Sequence, residues 1–84
     1  MYEVQWAIKA FKQLMAIDYA QRKTITYAVA ALKNWPECPN VKRLIKHQYQ
    51  YRLRIGRYRV FFDVDSSIKI ISIEEVKKRD ERTY

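Results

Sequence analysis

Two runs of alternating side-chain character meet at the only glycine of the chain, and nothing else in the sequence restricts the fold as much. Tyr49-Gln50-Tyr51-Arg52-Leu53-Arg54-Ile55 alternates with period two, and so does Arg57-Tyr58-Arg59-Val60 beyond Gly56. Alternating runs around a lone glycine signal a β-hairpin. Successive strand side chains go to opposite faces. Tyr51, Leu53 and Ile55 are therefore expected on a core side together with Tyr58, Val60 and Phe62. Arg52, Arg54, Arg57 and Arg59 are expected on the other. The surrounding stretch, Lys42 to Asp63, carries seven of the 17 basic residues, and no acid interrupts it. Guanidinium groups at that density repel one another, so stability alone does not account for them. A polyanion is the expected partner.

The rest of the composition supports a small folded domain of this kind. Eighty-four residues make one domain, 1–84, with a thin core. Hydrophobic residues at 49% can fill that core and argue against disorder. A net charge of +8 points to nucleic acid, an anionic membrane or an acidic protein. No apolar run is long enough to span a bilayer, and the opening residues lack the pattern of a secretory signal. The expected location is the cytoplasm, which also fits a single cysteine, Cys38, with no partner for a disulfide.

Read in order, Tyr2 to Trp6 alternates as a short first strand. Ile8, Phe11, Leu14 and Met15 then fall at helical spacing and are expected in the core with the helix aromatics. Asp18 is placed to cap a second helix, whose apolar positions are Ile25, Ala28, Val29 and Leu32. Pro36 and Pro39 end the helical half in a loop, with Trp35 packing over the end of the helix pair. After the hairpin, Asp65-Ser66-Ser67 makes a turn, and Ile68 to Ile73 reads as an interior strand. Glu74 onwards reads as a frayed polar tail. The resulting order is β-α-α-β-β-β. It describes an α+β fold, an N-terminal strand and a two-helix hairpin packed on a mostly antiparallel sheet of about four strands.

Familiar catalytic arrangements are missing. One histidine, His47, rules out a two-histidine acid–base pair or a histidine-rich metal site, and one glycine rules out a glycine-rich phosphate loop. Glu74 and Glu75 are adjacent, so on a strand they diverge and do not form a paired-carboxylate site. No metal and no cofactor is expected. Arginine, lysine and tyrosine remain, and that set can bind RNA and promote its cleavage. Attack of a 2′-hydroxyl on the neighbouring phosphate needs in-line geometry and neutralisation of charge on the phosphorane, which fixed guanidinium groups provide. Aromatic rings can hold a base by stacking. Arginine remains a poor general base.

The hairpin Tyr51-Arg52-Leu53-Arg54-Ile55-Gly56-Arg57-Tyr58-Arg59-Val60, the apolar strand after it and the ending Lys78-Arg79-Asp80-Glu81-Arg82-Thr83-Tyr84 resemble the RelE/ParE toxin superfamily. The ending is closest to RelE. The resemblance covers essentially the whole chain and implies a RelE-like, microbial-RNase-type fold. It further implies a ribosome-dependent mRNA endonuclease that enters the A site and cuts the codon there by 2′-hydroxyl attack. A cognate, RelB-like antitoxin would inhibit it. By the same resemblance Arg52 and Arg54 stand where RelE has two strand lysines, and Arg59 matches the arginine after the hairpin tyrosine. Arg79 matches the arginine that stabilises the transition state, and Tyr84 the C-terminal tyrosine that stacks on a base. Lys42, Arg43, Lys46, His47, Arg57, Lys77, Lys78 and Arg82 are expected to bind RNA around them. Two departures stand out. Arg52 replaces the lysine proposed as a base, and the interval from Arg79 to Tyr84 is one residue shorter. Lys46 and His47 are the remaining candidates for a base. The competing readings are a ParE-like toxin that binds DNA gyrase, against which the KR-x-x-R-x-Y ending argues, and a non-catalytic RNA-binding module.

Overall fold

The computed structural model describes residues 1–79. Strand β1 (Glu3–Trp6) leads into helices α1 (Ile8–Met15) and α2 (Tyr19–Ala30), and a single 3-10 turn (Ala31–Asn34) follows. Four more strands complete the order: β2 (Val41–Arg43), β3 (Tyr51–Ile55), β4 (Tyr58–Asp65) and β5 (Ile70–Lys78). They form one five-stranded sheet in the order β1-β5-β4-β3-β2. Every pairing is antiparallel except β1 with β5.

The hairpin forms in the expected register. Leu53 lies opposite Val60 and Ile55 opposite Tyr58, leaving Gly56 and Arg57 as the two-residue connection. Gly56 has φ +56°, the positive value that tight hairpin turns require at their first central position and that a side chain disfavours. Leu53, Val60 and Phe62 face the helices and join Ile25, Val29, Leu32, Ile71, Ile73 and Val76 in one buried cluster. Burying a side chain of this size stabilises by about 1.5–3 kcal/mol, so this cluster is the main source of folding free energy.

Several expectations change. The fifth strand, β2, is only three residues long, too short for its alternation to register in the sequence. β5 starts later than expected and runs through Glu74 to Lys78, so these residues are strand and not tail. They pair with β4 as far as Lys78 opposite Tyr58, and that ladder holds them extended. Ile68 lies in the preceding turn and is exposed. The pairing of β4 with β5 slips beside Phe61 and Phe62: Phe61 faces Glu75, Phe62 faces Ile73, and Glu74 is the extra residue of a β-bulge. The bulge explains how both Ile73 and Val76 reach the core although they differ in strand parity.

Helix α1 is also turned from its expected orientation. Ala10 and Leu14 are buried, whereas Ile8, Phe11 and Met15 are exposed, as are Tyr19 and Tyr27 on α2. Beyond the end of β1 the edge of β5 has no strand neighbour among the described residues, and Gln13 Oε1 accepts the backbone N–H of Val76 at 2.7 Å. That contact fixes which side of α1 meets the sheet, and residues about 100° away point to solvent. Asp18 does hold the N-cap position of α2, with extended backbone angles, but its side chain makes no capping hydrogen bond. Trp35 packs edge-on against Tyr51 and Phe62, with ring centroids 4.7 and 5.6 Å away, and so closes the sheet end of the core.

Candidate nucleic-acid interface

Strand parity places a row of cations on the sheet face away from the core. Arg54 on β3 lies directly opposite Arg59 on β4, which lies opposite Lys77 on β5. In the next row Lys42 pairs with Arg52, Arg52 with Phe61, and Phe61 with Glu75. Like charges directly opposite one another on a sheet are destabilising, by roughly 0.2–1 kcal/mol each. Arg52 adds a second cost, because its Nε is buried without a hydrogen-bond partner. A buried donor left unmade costs about 1–3 kcal/mol. An anion laid on this face would relieve both.

The backbone N–H of Arg79 donates to the carbonyl of Arg57 at 2.6 Å. This bond carries the β4–β5 ladder one residue past its last pair. By alternation Arg79 falls on the same face as Glu75 and Lys77. Of the expected catalytic set, Arg52, Arg54, Arg59 and Arg79 therefore come together on one face, and Tyr84 lies outside the described residues, as does Arg82. Among the expected RNA contacts, Lys42 and Lys77 join that face and Lys46 and His47 lie in the loop that borders it. Arg57 is in the hairpin turn. Arg43 and Lys78 go the other way: Arg43 pairs with Tyr51 and lies over its ring at 5.9 Å, and Lys78 shares a surface hollow with Asp18 and Gln21.

The loop of residues 44–50 is held against the sheet. Leu44 N–H donates to the Gln50 carbonyl at 2.8 Å. Gln50 N–H donates to Asp63 Oδ1 at 2.8 Å, and Gln50 Oε1 accepts Val64 N–H at 2.7 Å. Lys46 turns the chain with φ +53°. The loop thereby lays His47 on Phe61, with centroids 5.2 Å apart and planes 13° from parallel, and Tyr49 against both. Phe61 belongs to this face by the same parity as Arg59, a signal present in the sequence.

Glu75 was also absent from the expected site. Its carboxylate, with the side chain only 12% exposed, sits 3.5 Å from Lys9 Nζ and 3.9 Å from Lys77 Nζ. It accepts the Tyr49 hydroxyl as well, and burial first, then this hydrogen bond, push the Tyr49 phenol above its ordinary value of 10.0. The folded chain thus holds the phenolic proton more tightly than the unfolded chain does. The associated stability is fully present below pH 10.0 and is lost as pH rises through the folded pKa. Tyr49→Phe should lose less stability than the wild type between about pH 9 and about pH 11, as measured by urea unfolding. Equal losses would mean that Tyr49 does not titrate differently in the two states.

Cys38 is half-buried, and its Sγ lies 3.6 Å from the Ala31 carbonyl. Burial, and then the neighbouring charge of Glu37, push its thiol up, away from a nucleophilic thiolate. Among the described residues no three His, Cys, Asp or Glu side chains converge to hold a metal ion. No described helix is long and apolar enough to cross a membrane.

Residues 4–83 match the model of the ParE toxin of the type II toxin–antitoxin system parDE. The chain belongs to the RelE/ParE family of type II toxins. Solved structures similar to it are RelE toxins. The archaeal RelE–RelB complex from Pyrococcus horikoshii OT3 is 26% identical with a TM-score of 0.77, over 95% of this chain and 97% of that one. The toxin–antitoxin complex RelBE2 of Mycobacterium tuberculosis is 20% identical with a TM-score of 0.79, over 93% and 98%. Isolated RelE of E. coli is 14% identical with a TM-score of 0.82, over 99% and 89%, and shares the two helices on a mixed sheet. No curated protein matches the chain. As a member of this family the chain is a toxin-type domain.

Proposed function

We propose that this toxin is a RelE-type endoribonuclease that cuts mRNA in the ribosomal A site and is held inactive by a RelB-like antitoxin. The observation that carries the reading is the arginine face, and within it the buried, unpartnered Nε of Arg52. A donor in that position suits a phosphate oxygen, which a guanidinium can engage with two parallel N–H bonds. In the proposed reaction the 2′-oxygen bonds to phosphorus as the bond to the 5′-oxygen breaks. The products are a 2′,3′-cyclic phosphate and a 5′-hydroxyl. Arg52, Arg54 and Arg59 hold the phosphate in line, and Arg79 offsets charge on the phosphorane and the departing oxygen. Tyr84 stacks on a base.

The antitoxin reading draws support from the helices. Ile8, Phe11, Met15, Tyr19 and Tyr27 are exposed, with Lys12 and Lys23 among them, a surface suited to an acidic amphipathic segment. A second reading is favoured by the family model itself, which describes ParE, and by the shared fold: a ParE-like toxin that binds DNA gyrase.

Cleavage mapping separates the two. Purified toxin is incubated with one mRNA, free and then on ribosomes with a chosen codon in the A site. Cuts confined to that codon in the ribosome-bound sample are expected. Cuts in both samples would make it a free ribonuclease. No cuts in either, with loss of gyrase supercoiling, would establish the second reading.

A further inference from the structure

His47 has one ring face stacked on Phe61 and is itself exposed, so its other face is open to solvent. Phe61 and Tyr49, the rings beneath and beside it, are buried at 9% and 8% exposure. The imidazole is therefore the outermost layer of an aromatic stack built up from the sheet. The loop that carries it is tied to β4 through Gln50, Asp63 and Val64, which sets its height and tilt. Arg52 lies directly across the strand pairing from Phe61, so the stack stands beside the guanidinium with the unpartnered Nε.

A second contact sets which nitrogen carries the proton in the neutral ring. The backbone N–H of Tyr49 donates to His47 Nδ1 at 3.0 Å. In the neutral ring one nitrogen accepts and the other carries the proton. With Nδ1 accepting, the proton is on Nε2, and the ring offers solvent a donor but no lone pair. A general base needs a free lone pair within reach of the proton it takes.

From these two observations we infer that His47 is a stacking platform for an unpaired nucleobase, and not the proton acceptor of the cleavage reaction. This rests on the RNA-cleaving reading above and assigns the residue its part in it. A base on the open imidazole face would place its own phosphate toward Arg52. The site takes single-stranded RNA, because a paired base has no free face to offer.

Two readouts test the platform. Stacking is followed by fluorescence quenching of 2-aminopurine in a single-stranded RNA oligonucleotide, and cleavage by single-turnover rates on programmed ribosomes across a pH series. His47→Phe and His47→Trp, which keep an aromatic face and abolish proton transfer, should retain the quenching. Their cleavage rates should stay within about threefold of the wild type, with an unchanged pH profile. His47→Ala should lose the quenching and slow cleavage by roughly tenfold or more, as expected for one lost base stack. If His47→Phe instead falls as far as His47→Ala in cleavage while still quenching, the ring transfers protons and the platform assignment is overturned. No quenching by the wild type, or full quenching by His47→Ala, overturns it as well. A wild type that quenches but never cuts ribosome-bound mRNA would sink the endoribonuclease reading and leave the platform standing, so the two failures are distinguishable.

Discussion

Arg79→Ala should slow single-turnover mRNA cleavage on programmed ribosomes by roughly 10²–10³-fold while the melting temperature stays close to that of the wild type. The size follows from the role proposed for Arg79. Charge builds on the phosphorane and the leaving oxygen only as the reaction proceeds, and a donor fixed in advance stabilises that charge without reorganisation. The backbone from which Arg79 projects is fixed, because its N–H is bonded to the Arg57 carbonyl at the end of the β4–β5 ladder. Its side chain is exposed, so truncation removes no core contact. Arg79→Lys, which keeps the charge but loses the planar fork, should recover only part of the rate. A folded Arg79→Ala protein that cuts at the wild-type rate would remove this residue from the mechanism.

The largest stability effect should come from Phe62→Ala, at about 3–5 kcal/mol. Phe62 is fully buried at 0% exposure, stacked on Tyr51 at 5.5 Å and met edge-on by Trp35 at 5.6 Å. Truncation leaves a cavity bounded by two other aromatic rings and the strands of a sheet, none of which can move in far without breaking ladder hydrogen bonds. Domains of this size are stable by only about 5–15 kcal/mol, so the variant should unfold at much lower urea, with most of its margin gone. A loss under about 1 kcal/mol would mean that the core closes around the missing ring. Phe61, one residue earlier, faces the opposite side of the sheet, and its substitution should act first on His47 and the cationic face.

These two positions show how far the chain could be read without its structure. The period-two alternation around Gly56 is a local property of the backbone, so it assigned Leu53, Val60 and Phe62 to the core and Arg52, Arg54 and Arg59 to the outer face correctly. Family membership was legible for a similar reason: the hairpin, the apolar strand after it and the ending Lys78 to Tyr84 are each short continuous runs in the sequence. Arg43 and Lys78 share the charge of the other candidates, and only their pairing partners, Tyr51 and Tyr58, reveal that they point to the opposite side.

The sequence alone thus determined which hairpin residues alternate, that the hairpin turns at Gly56 and that one sheet face must be cationic, since each depends on neighbours a few positions apart. Tertiary structure decided what depends on distant partners. Gln13 holds the Val76 amide from 63 residues away, which turned Phe11 and Met15 out to solvent. The whole-length pairing with β4 made Glu74 to Lys78 a strand and set the bulge that brings Val76 inward. Gln50, reaching 13 residues to Asp63 and 14 to Val64, laid His47 over Phe61. Local periodicity carries no information about such contacts, because they exist only once the sheet has closed.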